Sequence, residues 1–537
     1  MRRKYILFIY FIISLFTVSF PQMTENAPEL KRDYIQLYGP LFEDVQLSGT
    51  FKDSKTFTDA VPLKDPAVIR RIYDSVKSLP DFNLSQFINA NFSVPREITE
   101  SAVPLEKTSL DNHIEELWDR LVREPKPESK NSTLLELKYP YIIPGGRFRE
   151  IYYWDSFFTI LGLLADNKTQ IAENMVHNFA YLINTYGMIP NGNRIYYLTR
   201  SQPPFFSLMV DIISRYKKDY NWGTQFIGQL EKEYSFWMSG AAQLKTEGAL
   251  AHVVMLNDSS ILNRYYDMDD KPREESYKED YNLSLKLPDS ARPKFYKDLR
   301  SAAESGWDFS SRWFADGKSL STIQTTDILP VDLNCLLYFL EDRLSFFYKQ
   351  SGNEDQSNVY ARRAERRKAL INKIFWDEEA GYYFDYNWKT GKHTGIYSAA
   401  AVYPLYFGIA SPEQARKVRD KLQKDFLKPG GIVTTLFDTR QQWDAPNGWP
   451  PLQWMAIKGL REYGFNDLAD EIKTRWLKLN ESVYGRTNKM FEKYNVEDVS
   501  LFAGGGEYPN QDGFGWTNGV WNALQSGFDK KYLNKNR

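Results

Sequence analysis

The stretch Pro144-Gly-Gly-Arg-Phe-Arg-Glu-Ile-Tyr-Tyr-Trp-Asp155 gathers glycines, arginines, carboxylates and four aromatic rings into one short segment. Gln442-Trp-Asp-Ala-Pro-Asn-Gly-Trp-Pro-Pro451 repeats that chemistry far downstream. Neither reads as core filler, because buried charge without a partner is costly. Flat rings cover the apolar face of a pyranose, and carboxylates and guanidiniums bind its hydroxyls, so both segments read as a grip for sugar. Asp308 lies between Trp307 and Phe309. A carboxyl held against rings keeps its proton to higher pH, as a general acid requires. Glu492, in Met490-Phe-Glu-Lys-Tyr-Asn-Val496, and Glu507, after the glycine run 504–506, are further candidates. Glycosidic bonds break between two carboxyl groups. The chain offers many more than two, so chemistry alone does not choose the pair. Arg147, Arg200 and Arg273 sit in turn-like, polar company and suit either sugar hydroxyls or a phosphate.

These residues need a large scaffold. The chain has 537 residues, 42% of them hydrophobic, enough for a sizeable core. A net charge of −1 gives no electrostatic case for nucleic acid or an anionic membrane. Met-Arg-Arg-Lys followed by an apolar run over 6–20 predicts a cleaved signal peptide at about 1–22. Export to the periplasm or beyond is expected, with no other membrane attachment. The single cysteine, Cys335, allows no intrachain disulfide and falls in an apolar run, where it reads as a small hydrophobe. The histidines form no His-Glu-X-X-His pair, and no phosphate loop, dinucleotide fingerprint or Gly-X-Ser-X-Gly elbow occurs.

Helical periodicity recurs from the first segment onward, at 154–164, 168–186, 203–217, 221–246, 292–305, 331–351, 356–375, 398–408, 411–427, 452–464, 466–482 and 516–527. A shorter helix is expected over 65–77, with Asp65 as cap and Pro66 at its first position. The stretch 377–391 reads as a β-hairpin. Twelve helices with the signature segments in the loops between them predict paired helices closed into a ring. One single domain spans 23–537, with an N-terminal extension over about 23–60. The 504–506 run reads as an active-site lid, or alternatively as a rigid turn.

The chain resembles the trehalases of glycoside hydrolase family 37. The resemblance is carried by both long segments, by Leu37-Tyr-Gly-Pro-Leu-Phe-Glu-Asp-Val-Gln46, Arg200-Ser-Gln-Pro-Pro204, Glu304-Ser-Gly-Trp-Asp308 and the 504–518 segment. Phe157 replaces a usual tyrosine of the first segment, and Glu274 a usual proline. The resemblance implies an all-α (α/α)6 toroid with a minor β-hairpin and long active-site loops. It implies inverting hydrolysis of α,α-trehalose to two glucoses without a metal. No cofactor is expected, and the chain is expected to work as a monomer. The resemblance implies Asp308 as general acid and Glu492 as general base. It also implies substrate contacts from Arg147, Trp154, Asp155, Asn191, Arg200, Ser201, Gln202, Arg273, Glu275, Gly306 and Glu507. The other readings are an inverting hydrolase of a different small α-glucoside and a non-catalytic disaccharide-binding protein.

Overall fold

A computed structural model describes residues 37–95, 108–125 and 132–532. The expected signal peptide lies outside the described residues. Among the described residues, six helical pairs follow one another. They are α1 (Leu110–Leu121) with α2 (Tyr153–Ala165), α3 (Thr169–Tyr186) with α4 (Phe206–Lys217), and α5 (Ile227–Trp237) with α6 (Val331–Gln350). Then come α7 (Glu354–Ile374) with α8 (Tyr403–Tyr406), α9 (Pro412–Lys421) with α10 (Pro450–Glu462), and α11 (Asn466–Thr487) with α12 (Gly515–Gln525). The second helix of each pair joins an inner ring: α2 packs on α4, α4 on α6, α6 on α8, α8 on α10, α10 on α12, and α12 back on α2. Outside it, α3 covers α2 and α4, α5 and α7 cover α6, and α11 covers α10 and α12. This is an (α/α)6 toroid.

Burial patterns explain which helices go where. In α2 every residue from Tyr153 to Leu164 is buried, and in α12 every residue from Gly515 to Leu524. A helix apolar all round belongs inside. The outer helices bury one stripe only. In α1 the stripe is Leu110, His113, Ile114, Leu117, Trp118 and Leu121; in α7 it is Ser357, Tyr360, Ala364, Arg367 and Ile371. These are the i, i+3, i+4 spacings of one helical face.

The structure corrects the expected ring in two places. Its first outer helix, α1, is missing from the sequence-predicted twelve, and Arg292–Glu304 is not a ring member but part of the long α5–α6 connection. The helix expected over 221–246 is two shorter ones, Tyr220–Thr224 and Ile227–Trp237, followed by the strand Gly248–Leu250. The hairpin expected over 377–391 is two small ones: Trp376–Asp377 pairs with Tyr382–Tyr383, and Tyr386–Asn387 with Lys392–His393. Cys335 is buried in α6, as expected of a small hydrophobe. Among the described residues, no helix is long and apolar enough to cross a membrane.

The N-terminal layer runs well past residue 60. It holds Pro40–Leu47, Ser54–Thr58, Pro66–Val76 and Leu84–Asn91, the third capped by Asp65 as expected. Leu41, Phe42, Phe57, Ile69 and Tyr73 form its own core, which continues into Tyr152, Tyr196, Tyr197 and Tyr277 of the toroid's loops.

The ring closes where α12 meets α2, and glycine sets that distance. A Cβ at Gly519 would stand 2.1 Å from the Phe158 carbonyl oxygen, and one at Gly162 only 2.4 Å from the Gly519 Cα. Gly519→Ala is therefore expected to cost about 1–3 kcal/mol, as overpacking does. Gly485→Ala is the control: it lies inside α11 with nothing within 4 Å of a new Cβ. There alanine is expected to be neutral or stabilising by up to about 1 kcal/mol, from helix propensity. Thermal unfolding of both variants checks this; equal melting temperatures would refute the close-contact argument.

Candidate active site

In a ring of hairpins, every connection from an outer to an inner helix lies on the same rim. The connections before α2, α4, α6, α10 and α12 meet there around one cavity. Arg147 comes from the first; Asn191, Arg200 and Gln202 from the second; Arg273, Glu275, Gly306 and Asp308 from the third. Trp443 and Trp449 come from the fourth, Glu492, Glu507 and Tyr508 from the fifth. The first turns of α2 and α12 add Trp154, Asp155 and Trp516. The cavity is rich in indole. Trp443 stacks on Trp449 with centroids 3.8 Å apart, Trp307 lies against Trp443 at 5.2 Å, and Trp516 stands perpendicular to Trp443 and Trp449.

Asp308 sits on the loop after the Arg292–Glu304 helix. Gly306 lets that loop turn, with φ +74°, and a Cβ there would strike the Trp154 ring at 2.8 Å. Downstream, the buried Asp444 carboxylate accepts from Ser310 Oγ at 2.9 Å and from Ser311 N and Oγ at 2.8 Å each. The Asp308 side chain is 29% exposed, and the cavity is what it faces. Burial pushes its carboxyl up to about 6; Arg273, Arg200 and its own backbone amide pull it down, and Glu492 adds to the rise. The nearest guanidinium nitrogen, on Arg273, is 4.0 Å away.

Glu492 is buried and doubly held. Lys493 Nζ lies 3.0 Å from Oε2, and the Tyr508 hydroxyl donates to Oε1 at 2.9 Å. Its backbone is fixed as well: its N–H donates to the Gln511 carbonyl, and its carbonyl accepts from Trp516 Nε1, both at 2.9 Å.

The remaining charges are arranged in pairs. Arg200 donates to Glu275 at 2.6 Å and to Asn191 at 3.0 Å. Burial pushes Glu275 up, but Arg200, Arg273 and Arg300 outweigh it and hold its carboxyl below the usual range. Arg273 donates to Asp280 at 2.6 Å and to Glu507 at 2.7 Å. Burial still pushes Glu507 up to about 7, with Arg273 opposing and Asp280 and Asp308 assisting. Asp155 is driven well above the ordinary carboxylate range, first by burial and then by Glu492 and Asp308. Arg147 Nε has no hydrogen-bond partner, its nearest carboxylate, Asp53, lies 3.9 Å away, and its guanidinium lies over the Tyr508 ring.

Twelve of the thirteen sequence-predicted site residues line this cavity. Ser201 does not. Its hydroxyl donates to the Ile189 carbonyl at 2.6 Å and its N–H to Glu304 at 2.9 Å, so it shapes the loop between Arg200 and Gln202. Glu304 also receives Tyr266 N at 2.7 Å and His252 Nε2 at 3.0 Å, tying that loop to the segment before Asp308. Asp444 of the second segment likewise does not line the cavity. It braces the Asp308 loop, whereas its neighbours Trp443 and Trp449 do line it. Lys55 and Tyr197 line the cavity from outside every segment that the sequence marks out. Lys55 belongs to the N-terminal layer, with no motif to mark it, and reaches Glu150 at 2.7 Å and Asp59 at 2.9 Å. The 504–506 run is anchored where it stands: Gly504 O accepts from Asn447 at 2.7 Å, and Gly506 N donates to Arg440 O at 3.3 Å.

Known proteins resemble this arrangement over most of its length. The trehalase family model matches residues 49–527. A periplasmic trehalase of Xanthomonas axonopodis pv. citri is 46% identical over 503 residues, covering 94% of this chain and 87% of that protein. One of Pseudomonas aeruginosa is 47% identical over 485 residues, covering 90% and 88%. Among solved structures, the neutral trehalase Nth1 of Saccharomyces cerevisiae superposes with a TM-score of 0.59 at 27% identity, over 79% of this chain and 80% of that one.

Asp308 gives up its proton as the pH rises through about 6. Any reaction that needs that proton must therefore slow above this pH. A kcat/KM profile of the free enzyme is expected to show a basic limb there, since that ratio reports the free enzyme's essential groups. A rate unchanged up to pH 9 would remove Asp308 as a proton donor.

Proposed function

This chain belongs to the trehalase family, and from that premise we propose how its cavity hydrolyses α,α-trehalose to two molecules of glucose. Asp308 enters the reaction protonated and gives its proton to the oxygen between the two sugars. Glu492 enters ionised and takes a proton from a water molecule. That water attacks the anomeric carbon from the face opposite the departing glucose. The carbon–oxygen bond breaks as the new one forms, through an oxocarbenium-like transition state. One direct displacement inverts the anomeric centre and releases one α- and one β-glucose. The observation that carries this reading is the contrast between two carboxyls of one cavity. Asp308 is desolvated with no bonded cation, and Glu492 is bonded to Lys493. A general acid and a general base need these opposite environments.

The charge pairing favours a neutral disaccharide over a phosphorylated one. Arg200 and Arg273 are already bound to Glu275, Asp280 and Glu507, which would repel a phosphate. Arg147 is the guanidinium least engaged with carboxylates, and its position over Tyr508 suits a sugar hydroxyl. The indoles supply the flat surfaces against which glucose rings pack. The basic-then-apolar N-terminus and the periplasmic relatives support export to the periplasm.

Glucose release from trehalose, maltose and trehalose 6-phosphate tests the substrate. Trehalose is expected to be strongly preferred; preference for the phosphate would show the arginines misassigned. Asp308→Asn is expected to lose about 10²–10⁴-fold in kcat, the usual contribution of an acid–base group. Proton NMR of the first turnovers is expected to show α- and β-glucose in equal amounts. An initial product that is all α would replace inversion by retention.

A further inference from the structure

Two side chains that do not line the cavity connect the proposed acid to the proposed base. Gln442 is 1% exposed and Lys493 is fully buried. Gln442 Nε2 donates to the Asp308 backbone carbonyl at 2.5 Å, while its Oε1 accepts from Lys493 Nζ at 3.1 Å. Lys493 Nζ then donates to Glu492 Oε2 at 3.0 Å. Three hydrogen bonds thus run from the backbone of one carboxyl residue to the side chain of the other. The amide orientation is dictated by its partners: reversed, it would set NH2 against an ammonium and a carbonyl against a carbonyl. The strap is also walled in. The Trp449 and Tyr508 rings lie 5.0 and 5.2 Å from Lys493 Nζ, and the Gln442 backbone carbonyl accepts from Trp449 Nε1 at 2.9 Å.

An ammonium without solvent exposure is costly unless paired, and Glu492 is the one carboxylate bonded to Lys493 among the described residues. A cation placed there serves the ionised form of Glu492. We propose that Gln442 and Lys493 are positioning residues of the hydrolysis. Lys493 holds Glu492 as the base, and Gln442 fixes Lys493 while setting the Asp308 loop at a constant distance from it. The proposal rests on the acid and base roles assigned above. Glutamine suits the position because it is neutral and carries both a donor and an acceptor. Glutamate keeps the acceptor for Lys493 but has no donor for the Asp308 carbonyl. Methionine has roughly the same length and keeps neither.

Four variants of the full chain test this, with kcat, KM and pH profiles measured on trehalose: Gln442→Met, Gln442→Glu, Lys493→Met and Lys493→Gln. Gln442→Met is expected to lower kcat about 10²-fold, the scale of a misplacement near 1 Å, with little change in KM. Lys493→Met is expected to move the acidic limb of the profile up by about one pH unit or more, because the base loses its cation. Of the other groups facing Glu492, the Tyr508 hydroxyl still donates to it and opposes that rise without replacing the lost charge, while Asp155 and Asp308 offer it no cation. Gln442→Glu is expected to lose kcat as well, because it lacks the donor for the Asp308 carbonyl. The Gln442→Met/Lys493→Met double variant is expected to match the worse single variant rather than the product of the two, as for residues acting as a unit. If the methionine variants do not fold, Gln442→Glu and Lys493→Gln carry the same comparison. Wild-type kcat per folded molecule with unmoved limbs, or multiplying losses in the double variant, overturns the strap. Asp308→Asn and Glu492→Gln are measured alongside. If they too turn over normally, it is the acid–base assignment that fails; if only they are inactive, the strap alone is wrong.

Discussion

Charge held away from water must be paired, and the way each pair is made decides what each carboxyl at this rim can do. Glu275 and Asp308 illustrate the rule. Both are desolvated beside arginines. Glu275 is bonded to Arg200 at 2.6 Å and held low. Arg273 comes only to 4.0 Å of Asp308, because its own hydrogen bonds go to Asp280 and Glu507. Burial therefore wins at Asp308, and the carboxyl is raised to about 6. The neighbours of Arg273 are as much a part of the acid's chemistry as Arg273 itself. Arg312 is locked between Asp332 and Asp385, with the Trp307 and Trp313 rings against it, so the loop is pinned four residues after Asp308.

Topology delivers these groups to one place. Because hairpins alternate outward and inward, the entry to every inner helix faces the same rim, and the N-termini of those helices face it too. Helix N-termini carry partial positive charge, which suits a rim crowded with carboxylates. The N-terminal layer closes one wall. Gln46 and Thr58 hold the Glu274 carbonyl at 3.2 and 2.8 Å, next to Arg273 and Glu275, and Lys55 enters the cavity itself. A segment that precedes the ring in sequence is thus part of the site.

What was legible in the sequence follows from the range of the interactions involved. Helical stripes are local, and most ring helices were found within a few residues of their ends. The α1 stripe of Leu110, Ile114, Leu117 and Leu121 is equally local, but it lies ahead of the first signature and is set off from the other ring helices by a long connection. The cavity-lining residues are legible through segments dense in rings, glycines and charges, together with a family resemblance. That density does not say which way a side chain points. Ser201 turned inward to a carbonyl, and Asp444 turned away to hold the serines after Asp308. Lys55 and Gln442 could not be assigned from local pattern, because their partners lie far off in the chain: Glu150 for the one, Asp308 and Lys493 for the other.

The rim opposite the cavity is built from short turns, at 166–168, 351–353 and 463–465. None of them lines the cavity. The two faces of the toroid thus divide labour: one is chemical, and the other is mere hardware that joins helix to helix. A tether or fused domain attached at the hardware face leaves the mouth open to the medium. A molecule fixed to a support by these turns through short linkers stands with its cavity side outward.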